Sequence, residues 1–144
     1  MRRLPGWRRR TMSAVLGVAM LGALAFGVSQ AFAGQGSAVS KIRNHRDSCA
    51  STSKSKVVGT ATFARKGNTV TLKVSINKGE PGDYDLYLYN ASCDSVGPTV
   101  NFKVDASGNG SATLTATGVT GQSFFADAYN TTTGYDNESD YVKL

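Results

Sequence analysis

The chain of 144 residues contains a single histidine, only two cysteines and three prolines, and residues 34–144 show no sustained helical repeat. The one histidine, His45, stands between Asn44 and Arg46, and we interpret it as a solvated surface residue. No nucleophile triad can be built from it. Neither cysteine has another Cys or a His at metal-ligand spacing. We therefore predict that the protein is not an enzyme and needs no cofactor.

The first 33 residues have the layout of an export signal. A head with five arginines and no acidic residue precedes an apolar run from Met12 to Val28, and Ala31-Phe32-Ala33 follows. This order is typical of a secretory signal peptide. We predict that residues 1–33 are a signal peptide cleaved after Ala33, which leaves a secreted protein without stable membrane insertion. The alternative is an uncleaved anchor, because the 17 residues of the run are near the lower limit for a bilayer span.

Most of the positive charge belongs to this predicted signal. The chain has 16 Lys and Arg against 10 Asp and Glu, and five of the arginines precede Ala33. The remainder is nearly neutral, so its net charge does not indicate nucleic-acid binding. Residues 34–78 nevertheless carry a net charge of +8, and residues 79–144 carry −7. We favour interleaved strands that form cross-strand ion pairs; the alternative is a polarised molecule that faces a charged polymer or partner.

The two cysteines, Cys49 and Cys93, can pair in only one way, and an exported protein meets oxidising surroundings. We therefore predict one disulfide, with a metal site or a catalytic thiol as the alternative. Residues 34–56 are rich in Ser, Lys and Arg without a clear period. We expect a flexible basic N-terminal segment there, ahead of a folded domain at residues 57–144.

Alternation of apolar and polar residues predicts about seven strands in residues 57–144, separated by turns that contain glycine. This pattern favours an all-β domain, an antiparallel Greek-key β-sandwich or flattened barrel. The predicted strands are Val57–Ala64, Asn68–Ile76, Asp83–Asn90, Pro98–Asp105, Ser111–Thr117, Ser123–Asn130 and Ser139–Leu144.

The tyrosine-rich strand carries the candidate binding residues. Alternation turns Leu86 and Leu88 to one side and Asp85, Tyr87 and Tyr89 to the other. Tyrosine supplies a large contact area at low entropic cost, so it is favoured at binding surfaces. We predict a binding face made of Tyr87, Tyr89, Asp85 and Tyr129. The alternative is that these tyrosines only form the strand and are covered by a loop.

Several segments resemble the copper–zinc superoxide dismutases, namely Val58–Phe63, Lys66–Val70, Pro81–Tyr84, Cys93–Pro98 and Asp105–Ala112. The resemblance implies a Greek-key sandwich. It does not imply the activity, because Tyr87 and Tyr89 occupy the places of two copper-binding histidines. The other ligand histidines of that family have no counterpart either, and neutral phenols do not replace imidazole. We therefore expect no copper–zinc pair.

Acidic residues provide two further hypotheses. Asp136, Glu138 and Asp140 alternate near the C-terminus and are candidate calcium ligands, with Asp127 as a neighbour across the sheet. A pair drawn from Asp83, Asp85 and Asp127 is the candidate for glycoside hydrolysis.

From these patterns we predict a secreted, non-catalytic binding or structural protein. Its expected partner is an extracellular protein or an envelope polymer, and not nucleic acid. The alternatives are a metal-binding or hydrolytic secreted enzyme, and an inhibitor of a secreted protease that acts through the exposed loop Ala91–Gly97.

Overall fold

The computed structural model describes residues 36–46, 49 and 55–144, and these form an all-β fold with nine strands. The predicted signal peptide and the side chain of His45 lie outside the described part. The strands are β1 (Gly36–Arg46), β2 (Val57–Lys66), β3 (Thr69–Ile76), β4 (Gly82–Asn90), β5 (Val100–Val104), β6 (Gly110–Ala116), β7 (Ser123–Asn130), β8 (Asp136–Ser139) and β9 (Val142–Lys143). Within the described residues there is no helix long and apolar enough to span a membrane.

Every strand pairing is antiparallel, and eight strands follow one another in the order β5-β4-β7-β8-β1-β2-β3-β6, with β9 added to β7. The end strands β5 and β6 lie side by side, so the sheet nearly closes into a barrel. Strands β4, β5 and β6 are consecutive in the chain and lie side by side, and β3, which precedes them in the chain, lies beside β6. This arrangement is a Greek key. The predicted fold class is confirmed.

The barrel interior is filled by the apolar residues of the alternating strands. Phe63, Leu72 and Leu114 are paired across β2, β3 and β6, and each is fully buried. From the opposite side Leu86 and Leu88 of β4 are equally buried. Between β2 and β3 the chains approach so closely at Gly59 that a Cβ there would stand 2.4 Å from the carbonyl oxygen of Ser75. Glycine at this position therefore permits the close approach of β2 and β3.

Strand β1 corrects the expectation of a flexible segment. Residues 34–56 were predicted to lack regular structure, but Gly36–Arg46 pairs with β2 on one side and with β8 on the other. Its period is hard to see because Val39 points outward and is 67% exposed, while the inward-facing Ile42 is fully buried. Pairing on both edges holds this polar segment in the sheet.

Strand β8 was also missed, since the last strand was predicted only from Ser139 onward. It forms a single ladder pair with β7, between Glu138 and Asp127. Side chains supply the rest of the connection. The Asn137 amide donates to the carbonyl of Ala128 at 2.9 Å, and the Ser139 hydroxyl accepts from the backbone N–H of Ala126 at 2.9 Å. A strand with polar residues on both faces is therefore fixed by side chain–backbone hydrogen bonds, which alternation does not reveal.

Candidate functional site

Strands β4 and β7 place all four predicted binding residues on the outer surface of the barrel. Across the ladder Asp85 lies opposite Tyr129, Tyr87 opposite Asp127, and Tyr89 opposite Phe125. Tyr87, Tyr89, Asp85 and Tyr129 are half-buried, whereas the residues between them on the inner side are buried. The structure therefore brings the four candidates together on one face, and their role in binding stays a prediction.

The aromatic rings on this surface form a continuous row, which we call the aromatic row: Tyr87, Tyr89, Phe125 and Tyr141. The centroids of Tyr87 and Tyr89 are 5.9 Å apart. Tyr89 stacks on Phe125 at 5.1 Å, and Phe125 meets the edge of Tyr141 at 4.9 Å. Phe125 is fully buried, but Tyr141 remains 41% exposed. The row thus has a packed middle and two accessible ends.

The Tyr87 end of the row is oriented by polar contacts. Its hydroxyl donates to Asp85 Oδ2 at 3.3 Å, and the Asn101 amide donates to Asp85 Oδ1. Residues two apart on a strand are separated by about 6.7 Å, so this bond requires the ring to lean along the strand. Burial, followed by the nearby Asp85 carboxylate, raises the pKa of the Tyr87 hydroxyl. The phenol is therefore neutral at physiological pH and can donate a hydrogen bond.

A group of carboxyls lies next to the row. Asp127 is 4% exposed and Glu138 only 1% exposed, although both are on the outer face. Burial, followed by the neighbouring Asp136 and Glu138, raises the pKa of Asp127 to about 9. Its Oδ1 has no hydrogen-bond partner in the part of the chain that the structure describes. At neutral pH Asp127 is consequently an un-ionised acid, which can donate a hydrogen bond to the neighbouring Asp136 carboxylate.

The calcium candidates are arranged differently from the sequence hypothesis. The carboxyl of Asp136 neighbours Asp127 and raises its pKa. Glu138 Oε1 accepts a hydrogen bond from the backbone N–H of Cys49 at 3.1 Å. Asp140 is exposed, and its backbone N–H donates to the Ser40 hydroxyl. Among the described residues no three acidic, His or Cys side chains are grouped so that they could hold a metal ion. The hypothesis of a calcium site gains no support from this geometry.

The other carboxylates considered for hydrolysis are also engaged. Asp83 pairs with Lys103 at 3.4 Å on an exposed part of the surface. Asp85 is hydrogen-bonded to Asn101 and Tyr87, and Asp127 is buried. Asp83 and Asp85 therefore have structural partners, whereas Asp127 is distinguished by its burial.

The predicted disulfide between Cys49 and Cys93 is present, with Cα atoms 5.8 Å apart. It is consistent with an oxidising environment. Cys93 sits in the loop between β4 and β5, where the Asn90 side chain accepts the backbone N–H groups of Ser92 and Asp94. A backbone bond from Val96 to Leu88 closes the loop at its far end. The loop Ala91–Gly97 is thus held in one shape, and its action on a protease stays a prediction.

The sequence pattern does not indicate that Phe125, Tyr141 and Glu138 belong to this surface. The sequence predicts only a place near the start of the strand Ser123–Asn130 for Phe125, and only a candidate calcium ligand for Glu138. Their places follow from the pairing of β7 with β4, β8 and β9, which brings distant segments next to the tyrosine strand. The partial alternation around Phe125 was the one available signal.

Comparisons of the chain with protein-family models, with curated proteins and with solved structures found no match in any of the three. The resemblance to copper–zinc superoxide dismutases therefore stays a prediction.

Proposed function

We propose that this protein is exported and acts outside the cell or at the envelope as a non-catalytic binding protein. The layout of residues 1–33 supports export, and the Cys49–Cys93 disulfide fits an extracellular setting. The aromatic row and Asp85 would be the binding surface. The observation that carries this proposal is the accessible Tyr87–Tyr89 pair, whose rings lie side by side on the outer face of β4.

An envelope polymer with sugar units fits this surface best. A leaning tyrosine ring offers a flat apolar face, against which the C–H side of a sugar ring can pack. Asp85 and Asn101 lie beside the ring, and their oxygen and nitrogen atoms suit sugar hydroxyls.

The non-catalytic assignment rests on the state of the carboxyls. General acid–base chemistry needs an accessible acid and base at a reacting group. Asp127 has the raised pKa of an acid, but it is buried below the surface. The exposed Asp83 and half-buried Asp85 are engaged with Lys103 and Asn101. The arrangement therefore supports recognition rather than bond cleavage.

The test is co-sedimentation of the secreted chain with purified, insoluble envelope polymer. Tyr87→Ala should reduce the bound fraction severalfold while leaving the melting temperature within a few degrees, because Tyr87 lies at the end of the row. Tyr89→Phe should retain the packing on Phe125 and most of the binding. Tyr135→Ala is the matched control, since this ring is 48% exposed and lies outside the row.

Full binding by Tyr87→Ala combined with Tyr89→Ala would reject the proposal. If the variant lost binding only in proportion to its loss of folded protein, the rings would serve packing alone. Circular dichroism on the same samples separates these results.

A further inference from the structure

The barrel surface is divided by charge, because the basic and acidic parts of the sequence do not interleave. Strands β1, β2, β3 and β6 are neighbours in the sheet and contain no Asp or Glu. Strands β5, β4, β7 and β8 make up the other half and contain Asp83, Asp85, Asp127, Asp136 and Glu138. The two halves are hydrogen-bonded only where β1 meets β8. There the register sets Arg43 opposite Glu138 and Arg46 opposite Asp136, as the expectation of cross-strand charge pairs has it. Away from this seam the basic and acidic strands lie apart, as the polarised alternative has it.

We call the outer side of β1, β2, β3 and β6 the basic face. Its side chains form rows across the strands, set by the register. One row is Lys41, Thr60, Ser75 and Ser111; the next is Val39, Thr62, Lys73 and Thr113; a third contains Ser37, Ala64, Thr71 and Thr115. Neighbouring side chains in a row are about 4.8 Å apart, and successive rows about 6.7 Å apart. The basic face is thus a broad surface made largely of Ser and Thr side chains, from which lysines project.

The lysines on this face have no acidic partner. Lys41, Lys66 and Lys73 are all exposed, and none forms an ion pair within the described residues. Two arginines of the same strands are engaged differently. Arg43 donates to the carbonyl of Ser55 at 3.0 Å, and Arg65 donates to backbone carbonyls that include Val119 at 3.0 Å. Among the described side chains of these four strands, the exposed cations are therefore the three lysines.

We propose that the basic face binds a phosphate-bearing anionic polymer outside the cell. Lysine is a compact point charge that suits phosphate, and Ser and Thr hydroxyls add hydrogen bonds to phosphate oxygens. The lysines lie on three different strands, so one small anion cannot reach them all, whereas a chain of phosphodiester units can. Since no carboxylate lies on these strands, nothing on them repels a polyanion. This inference does not depend on the aromatic row, which lies on the other half of the barrel.

The experiment measures binding of the secreted chain to fluorescently labelled long-chain polyphosphate by anisotropy. With three phosphate contacts, raising the salt concentration from about 50 to 200 mM should weaken binding about 20-fold. The variant Lys41→Gln, Lys66→Gln, Lys73→Gln should bind about tenfold more weakly or worse, and should lose most of this salt dependence.

A matched triple variant holds the net charge equal. Lys78→Gln, Lys103→Gln, Lys143→Gln removes the same charge from exposed positions outside the basic face, and it should bind within about twofold of the parent. If both triple variants lost the same affinity for polyphosphate, net charge alone would explain the binding. That result would overturn the inference.

Three further results would also overturn it: no binding at low salt, polyglutamate binding as tightly as polyphosphate, or salt-sensitive self-association that depends on the three lysines. The last would identify the acidic half of a second copy as the occupant. Tyr87→Ala serves as the independent arm. It should leave polyphosphate binding unchanged, so a failure of the aromatic-row proposal is distinguishable from a failure of this one.

Discussion

Replacing Asp127 by Asn should stabilise the protein, and increasingly so as the pH rises. Asp127 is almost completely buried between the aromatic row and the strand β8, and burial together with Asp136 and Glu138 raises its pKa from 3.8 to about 9. Asparagine has the same shape as the un-ionised acid. Its amide can donate to the neighbouring Asp136 carboxylate, as the un-ionised acid can, and its oxygen remains an acceptor.

The size of the effect follows from proton linkage. In the unfolded chain Asp127 releases its proton near its ordinary pKa, whereas the folded protein keeps it up to about pH 9. Between these values the unfolded state binds fewer protons, so the stability of the parent protein falls as the pH rises. The interval from the ordinary pKa of Asp127 to pH 7 is about three pH units. Each unit lowers the free energy of unfolding by about 1.4 kcal/mol, so the parent protein loses up to about 4 kcal/mol at pH 7. Below about pH 4 both states are protonated, and the loss disappears.

The assay is urea unfolding followed by far-ultraviolet circular dichroism between pH 4 and pH 8. Asp127→Asn and the parent should unfold at similar urea concentrations at pH 4, and the variant should be more stable by a few kcal/mol at pH 7. Asp94→Asn is the control, since it removes an exposed carboxylate and should change stability by less than about 0.5 kcal/mol. A less stable Asp127→Asn at pH 7 would refute the reasoning, because the fold would then need the ionised carboxylate.

Two further predictions concern the attachments that hold the polar segments. Ser139→Ala removes the acceptor for the buried N–H of Ala126 and should lower the free energy of unfolding in urea by about 1–3 kcal/mol. The control Ser75→Ala, at an exposed position, should change this free energy little. Equal effects of the two variants would contradict the role of the Ser139 hydroxyl as an acceptor. Cys49→Ser combined with Cys93→Ser opens a link across a separation of 44 residues and should lower stability by about 4 kcal/mol. Reduction of the parent protein should lower the free energy of unfolding in guanidinium by a similar amount. A stability that does not depend on the reductant would contradict the stabilising effect of the disulfide.

The candidate binding face was predicted from one strand, and its neighbours were not. Alternation in Gly82–Asn90 correctly put Tyr87 and Tyr89 on the outer side, because side-chain direction is a property of a single strand. That Phe125 would stack on Tyr89 could not be predicted, since the register between β4 and β7 depends on how the barrel closes. The burial of Glu138 likewise depends on Cys49, which is distant in the sequence.

The sequence by itself determined the all-β class, the strands from Val57 to Asn130 and the pairing of the only two cysteines, because local alternation and elimination suffice for these. Only the tertiary structure decided that polar β1 and β8 join the sheet, that Asp127 is buried, and that the basic and acidic strands form two halves that meet where β1 pairs with β8. Each of these depends on which strands are neighbours, and that order results from packing one common core rather than from any local pattern. The net charge of the two sequence halves was visible from the start. Its spatial separation became apparent only when β6, which has no charged residue, proved to be the neighbour of β3.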